Sequence, residues 1–147
     1  MQGRHLALLV ASDEAEGPDE RHALDRIRMQ KAIFLLVQRG SERWRDAYNY
    51  RAYDWGPYSG ALTADVQQMQ AQDLMTTEPV GGSRYGKYVT TAAGEQVAQA
   101  LWDQLSEQEQ AFIRNVRAYV TGKSFAQLLR EVYAAYPKYA TASRFSG

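Results

Sequence analysis

Six apolar residues in a row, "AIFLLV" from Ala32 to Val37, lie inside a window from Asp25 to Arg39 that contains neither glycine nor proline. A helix that is apolar on every face must be buried on every face. This segment is therefore expected at the centre of the fold, with the other elements wrapped around it. Asp25 is well placed to supply negative charge at its start, and Gly40 to end it in a left-handed cap.

The flanking sequence supplies the wrapping. Leu6, Leu9 and Val10 recur at helical spacing, predicting a first helix from Arg4 to about Ala15, closed by Gly17-Pro18. In "SERWRDAYNYRAYDW", Tyr48, Tyr50 and Tyr53 alternate with polar residues, as in a short strand. "YDWGPYSGAL" then reads as a strand-to-helix corner: Gly56 takes the sharp entry and Pro57 the first helical position. From there Tyr58, Leu62, Val66 and Met69 share one arc, and Ser59, Thr63, Gln67 and Gln70 another. "DLMTTEPVGGSRYGKYVTT" predicts a hairpin, with arms Leu74 to Val80 and Lys87 to Thr91. Thr91 caps a helix from Ala92 to about Leu105, with Val97, Leu101, Trp102 and Leu105 on one face. Two capping boxes, Ser106 with Glu109 and Ser124 with Gln127, open the last two helices, the second stopping before Pro137.

The order is helix, helix, strand, helix, hairpin, then further helices. We expect one α+β, mainly α, domain over residues 1–147: a winged-helix-like core with additional C-terminal helices. The helix from Pro57 takes the recognition-helix position, and the glycine-rich hairpin is the wing.

Composition narrows function by exclusion. The chain has no cysteine, which removes disulfides and cysteine-based metal or redox sites and is compatible with a reducing cytoplasm. The apolar run near the N-terminus is too short to span a bilayer and is followed at once by acids, so a core helix is expected rather than a signal peptide. Lys+Arg and Asp+Glu both number 17, giving a formal net charge of zero, whereas proteins held mainly by DNA phosphates usually carry a basic excess. The segment Arg21 to Arg51 is nonetheless basic, as is the C-terminal part from Arg114 to Arg144. They would form a patch if they met in space; a mixed, solvated surface is the expectation.

Chemistry-bearing motifs are scarce. "GGSRYGKY" nearly matches a phosphate-binding loop, but Tyr88 replaces the hydroxyl residue, Pro79 interrupts the preceding strand, and "KYVTT" is β-like rather than helical. Arg84, Tyr85 and Lys87 are better read as a small basic-aromatic contact point at the wing tip. His5 and His22 have no partners at metal-ligand spacing, so no metal or cofactor is expected. No nucleophile elbow is present, and we expect no catalysis. Of the aromatics, Tyr50, Trp55 and Tyr58 are assigned to a packed seam, and Tyr53 is left open.

These same residues carry a resemblance. "LDRIRMQKAIFLL", "YNYRAYDWGPYSGALTADVQQMQAQDLM" and "GKYVTTAAGEQVA" look like the YwgA-like proteins, related to the Panacea, or SocA-like antitoxin, domain. The family patterns R-x-Q-K-x-x-F-L-L, Y-G-P-Y-S followed by L-x-x-D-[LV], and Y-x-L-T-x-x-G are similar to Arg28 to Leu36, Trp55 to Val66 and Tyr88 to Gly94. The ending "LLREVYAAYPKYATAS" also resembles the family's close, so the likeness covers nearly the whole chain. Trp55 replaces an expected tyrosine and Met29 an expected leucine, each keeping an aromatic or apolar role. The resemblance implies a winged-helix-like, non-catalytic module; relatives are associated with toxin neutralisation, proteolytic adaptor work, mobile elements or phage defence.

The sequence thus leads to a regulatory or adaptor module for a partner protein, contacted through Ser59, Thr63, Gln67, Gln70, Arg84, Tyr85 and Lys87. The alternative is a DNA-binding regulator using the same helix and wing.

Overall fold

The computed structural model describes residues 2–145. Among them are six α-helices and two small antiparallel sheets, an α+β architecture that is mainly helical. Helix α1 spans Gly3–Ala11 and α2 spans Arg26–Arg39. Strands β1 (Arg51–Tyr53) and β2 (Gly56–Tyr58) form one hairpin, followed by α3 (Gly60–Ala71). Strands β3 (Met75–Glu78) and β4 (Lys87–Thr90) form the other, followed by α4 (Ala92–Trp102), α5 (Glu107–Gly122) and α6 (Phe125–Ala135). No helix of the described residues is long and apolar enough to cross a membrane.

Helix α2 is the hub, as its apolar run requires. Ala32, Ile33, Phe34 and Leu36 are fully enclosed. It packs against α1, α5 and β2. The buried side chains of α1, α3, α4, α5 and α6 complete one contiguous cluster around it. The Asp25 carboxylate caps α2 by accepting from the Arg28 N–H at 2.8 Å. Gly40 follows the helix at φ −85°, so the expected left-handed cap is not there. Glycine serves instead for close approach: a Cβ would lie 2.5 Å from the Leu36 carbonyl oxygen and 2.6 Å from the Trp44 ring.

The largest correction falls on "YDWGPYSGAL". Pro57 does not start a helix; it sits in β2, paired with Ala52. Gly56, at φ +98°, turns the chain straight back after Asp54-Trp55, making a tight hairpin where a corner was expected. Proline cannot donate to a ladder, which suits so short a two-stranded sheet. Helix α3 begins only at Gly60, with the Ser59 hydroxyl as its cap, accepting from the Leu62 N–H at 3.2 Å. Tyr58 therefore belongs to the strand, and α3 buries Leu62, Val66 and Met69 alone.

Smaller departures have equally local causes. Helix α1 ends at Ala11 because Ser12 is extended and its hydroxyl donates back to the Leu9 carbonyl at 2.7 Å. Val97 is 38% exposed rather than inward, and α4 stops at Trp102, with Leu105 buried in the turn beyond it. The β3–β4 hairpin, the Thr91 cap and both capping boxes form as expected.

The two basic segments do meet, through the packing of α2 on α5, but their junction is internal. Arg28 donates to the carbonyls of Val120 and Lys123, both at 2.9 Å, and to the Asp25 carboxylate at 2.8 Å. Arg117 makes a two-pronged contact with the Glu20 carboxylate, at 2.7 and 3.0 Å, and donates to the Val10 carbonyl at 2.8 Å. Nearer the surface, Arg43 pairs with Glu109, Arg114 with Glu14 and Lys123 with Glu131. The outcome is a mixed surface.

Candidate functional site

A cleft of about 520 Å³ opens between α2, the β1–β2 hairpin and α3. The register of α3 that buries Leu62, Val66 and Met69 turns Thr63, Gln67 and Gln70 toward this cleft. The Thr63 hydroxyl accepts from Gln30 Nε2 and donates to Tyr58 Oη, both at 3.0 Å. Gln70 Nε2 donates to Thr77 Oγ1 at 3.0 Å, tying α3 to β3. Gln67 is the exposed side chain of the three.

Ser59 does not join them. It is 2% exposed, with its hydroxyl on the α3 N-terminus and its backbone N–H donating to Gln30 Oε1 at 3.0 Å. A residue closing a helix from inside cannot present itself to a partner, and the expected contact role is withdrawn.

The wing residues part company too. Arg84 is exposed in a separate shallow depression at the β3–β4 tip. Tyr85 is half-buried beneath the Arg26 guanidinium, which lies 3.8 Å from its ring centre. The Lys87 ammonium is paired with Glu16 at 2.7 Å, away from the tip. The hydrogen bond from Lys87, against some burial and helped by the Lys87 and Arg117 charges, holds the Glu16 carboxyl below the usual carboxylate range. Only Arg84 remains as a free-standing contact of the expected trio.

The aromatics divide cleanly. Tyr50 packs edge-on against Phe34 at 5.1 Å, and Trp55 against Phe125 at 5.4 Å, so both belong to the packed seam. Tyr58 stacks on Tyr53 at 4.6 Å. Tyr53 itself is 43% exposed and forms the cleft rim.

The residue that the sequence reading passed over is Lys31. It lies on the cleft floor, 3% exposed, with no hydrogen bond or ion pair among the described residues. Burial drives its ammonium down to about 7, opposed weakly by Asp25. Gly56 makes room for it: a Cβ there would stand 3.2 Å from Lys31 Cε and 3.4 Å from Nζ. The available signal was a lysine placed immediately before "AIFLLV", on a helix required to be buried all round.

No protein-family model matches the chain, and no curated protein does.

The arrangement suits binding. Rim aromatics offer apolar contact, Gln67 a free amide, and the floor one cation. Among the described residues no group of three or more His, Asp or Glu is positioned to hold a metal ion. His5 and His22 lie outside the cleft, each held below the ordinary histidine value by burial and by neighbouring arginines.

Proposed function

We propose that the chain is a non-catalytic, winged-helix-like regulatory or adaptor module that receives a segment of a partner protein in the cleft beside α3. The observation that carries this reading is the cleft's wall: Thr63, Gln67 and Gln70 along α3, facing Tyr53 and Trp55. Tyrosine and tryptophan around a concave surface that carries a free amide, here Gln67, are usual ingredients of a protein interface. The winged-helix assignment is supported by the order α1, α2, hairpin, α3, hairpin, with β2 as an extra strand. The resemblance to the Panacea-related proteins leads the same way, toward an antitoxin-like or defence-associated role.

DNA binding is the weaker reading, because Lys87 is paired with Glu16 and Arg26 lies over Tyr85, leaving Arg84 as the exposed cation of the wing. The test is co-purification at moderate salt followed by mapping. A defined partner should be retained by the wild type and lost by Gln67→Arg at unchanged melting temperature. Retention by both Gln67→Arg and Tyr53→Ala would overturn the assignment of the cleft. A low-salt mobility shift whose salt slope falls in Arg84→Ala would replace the protein partner with DNA.

A further inference from the structure

We propose that the cleft floor is a carboxylate-binding site, in which the Lys31 ammonium receives an acidic side chain from an extended partner segment. The inference rests on the reading of the cleft as the partner site and adds the chemistry of what enters it.

Buried lysines ordinarily find a partner or stay out of the interior. Lys31 does neither, although the polar side chains beside it on α2, Arg28 and Gln30, have partners. Its neighbour Gln30 uses both ends of its amide, on Ser59 and Thr63. The acids that could neutralise Lys31 are engaged elsewhere. Asp25, on the same helix, holds Arg28 at 2.8 Å. Asp54, on the β1–β2 turn, faces Arg144 at 3.4 Å. The remaining titratable groups around the ammonium are the Arg26 guanidinium at the start of α2 and four phenols: Tyr53 and Tyr58 on the hairpin, Tyr88 of β4, and Tyr133 of α6 beside Gly56. Glycine at position 56 preserves the space above the amine, where a side chain would crowd it. The result is a built cation site: a positive group, almost wholly enclosed, directed into a cavity open at the top.

The ligand class follows from charge and shape. One cation on the floor matches a single carboxylate; a phosphate dianion would call for more than the one further guanidinium, Arg26, that borders the cleft. The wall from Thr63 to Gln70 is about 10 Å long, the span of about three residues of extended chain. A segment lying along it presents a side chain, not a terminus, to the floor. Entry of the carboxylate restores the ammonium that burial disfavours, so binding weakens as pH rises above about 7.

The test uses blocked peptides with the intact chain: acetyl-Tyr-Glu-Tyr-amide, its Gln counterpart, the Gln peptide with a free C-terminal carboxylate, and a phosphoserine counterpart. Affinity is read from tryptophan fluorescence, and the Lys31 side-chain resonances are titrated by NMR with and without peptide. Below pH about 7 the Glu peptide should bind about tenfold more tightly than the Gln peptide and raise the Lys31 titration midpoint. Lys31→Met should erase the preference of Glu over Gln. No binding of the Glu peptide, equal binding of Glu and Gln, or a preference that survives in Lys31→Met overturns the proposal. Tightest binding by the free-carboxylate or phosphoserine peptide overturns the acidic side chain as the occupant. Loss of partner capture in Gln67→Arg without any Glu preference removes this inference alone; a Glu preference with capture indifferent to both Gln67→Arg and Tyr53→Ala removes the partner reading alone.

Discussion

Arg117 and Lys31 are buried to nearly the same degree, 1% and 3% exposed, yet one is held by a full set of acceptors and the other by none among the described residues. The region where α2 meets α5 solves the cost of buried charge internally. Arg28 and Arg117 satisfy carbonyls at the ends of α1 and α5 while their charge is matched by Asp25 and Glu20. The cleft beside α3 leaves the same cost unresolved. Guanidinium groups, with their planar array of donors, suit the first task, and a single ammonium on a flexible stem suits the second. The contrast separates charge that builds the fold from charge that awaits something.

The sharpest way to break this contrast is to remove the paired member. Arg117→Ala leaves the half-buried Glu20 carboxylate with the Gly17 N–H alone and takes the guanidinium from the Val10 carbonyl. Chemical denaturation should show a loss of about 3–5 kcal/mol. A loss below about 1 kcal/mol would mean that the buried pair does not carry the α1–α5 junction.

Removing the unpaired member should do the opposite. Lys31→Met is expected to stabilise the chain at neutral pH by about 3 kcal/mol, because an uncompensated buried charge disappears without leaving a cavity. The pH dependence supplies the sign. The folded-state value of about 7 lies below the ordinary 10.5, so between the two the unfolded chain binds the extra proton. Stability should therefore rise with pH, by at most about 1.4 kcal/mol per unit, through the accessible range from about 7 to 9. Lys31→Met should flatten this slope; a slope unchanged in the variant would assign it to other groups.

Two smaller changes sharpen the comparison. Gly56→Ala forces an L-residue into positive φ and crowds the Lys31 amine, with an expected loss of about 2 kcal/mol that shrinks in a Lys31→Ala background. Arg84→Ala, at an exposed cation, should shift stability by less than about 0.5 kcal/mol by thermal melting.

Much of the scaffold was legible in the chain because its signals are local. The caps at Asp25, Thr91, Ser106 and Ser124 each depend on a residue within three positions, and all four form. The burial of α2 follows from its composition alone. The hairpin at "YDWGPYSGAL" was misread because Gly-Pro is equally at home entering a helix or turning a strand, and the choice is made by pairing between Ala52 and Pro57. Ser59 was misassigned for a related reason: helical spacing places it on an arc, but a cap lies one step outside the helix.

What the chain determined by itself was the set of helices, the central position of α2 and the α3 face bearing Thr63, Gln67 and Gln70, since periodicity and capping act over a few residues. Tertiary structure alone decided which charges find partners. Lys87 meets Glu16, Arg117 meets Glu20, and Lys31 lies against Gly56 with no acid on it among the described residues, through contacts between residues far apart in the chain that no local pattern encodes.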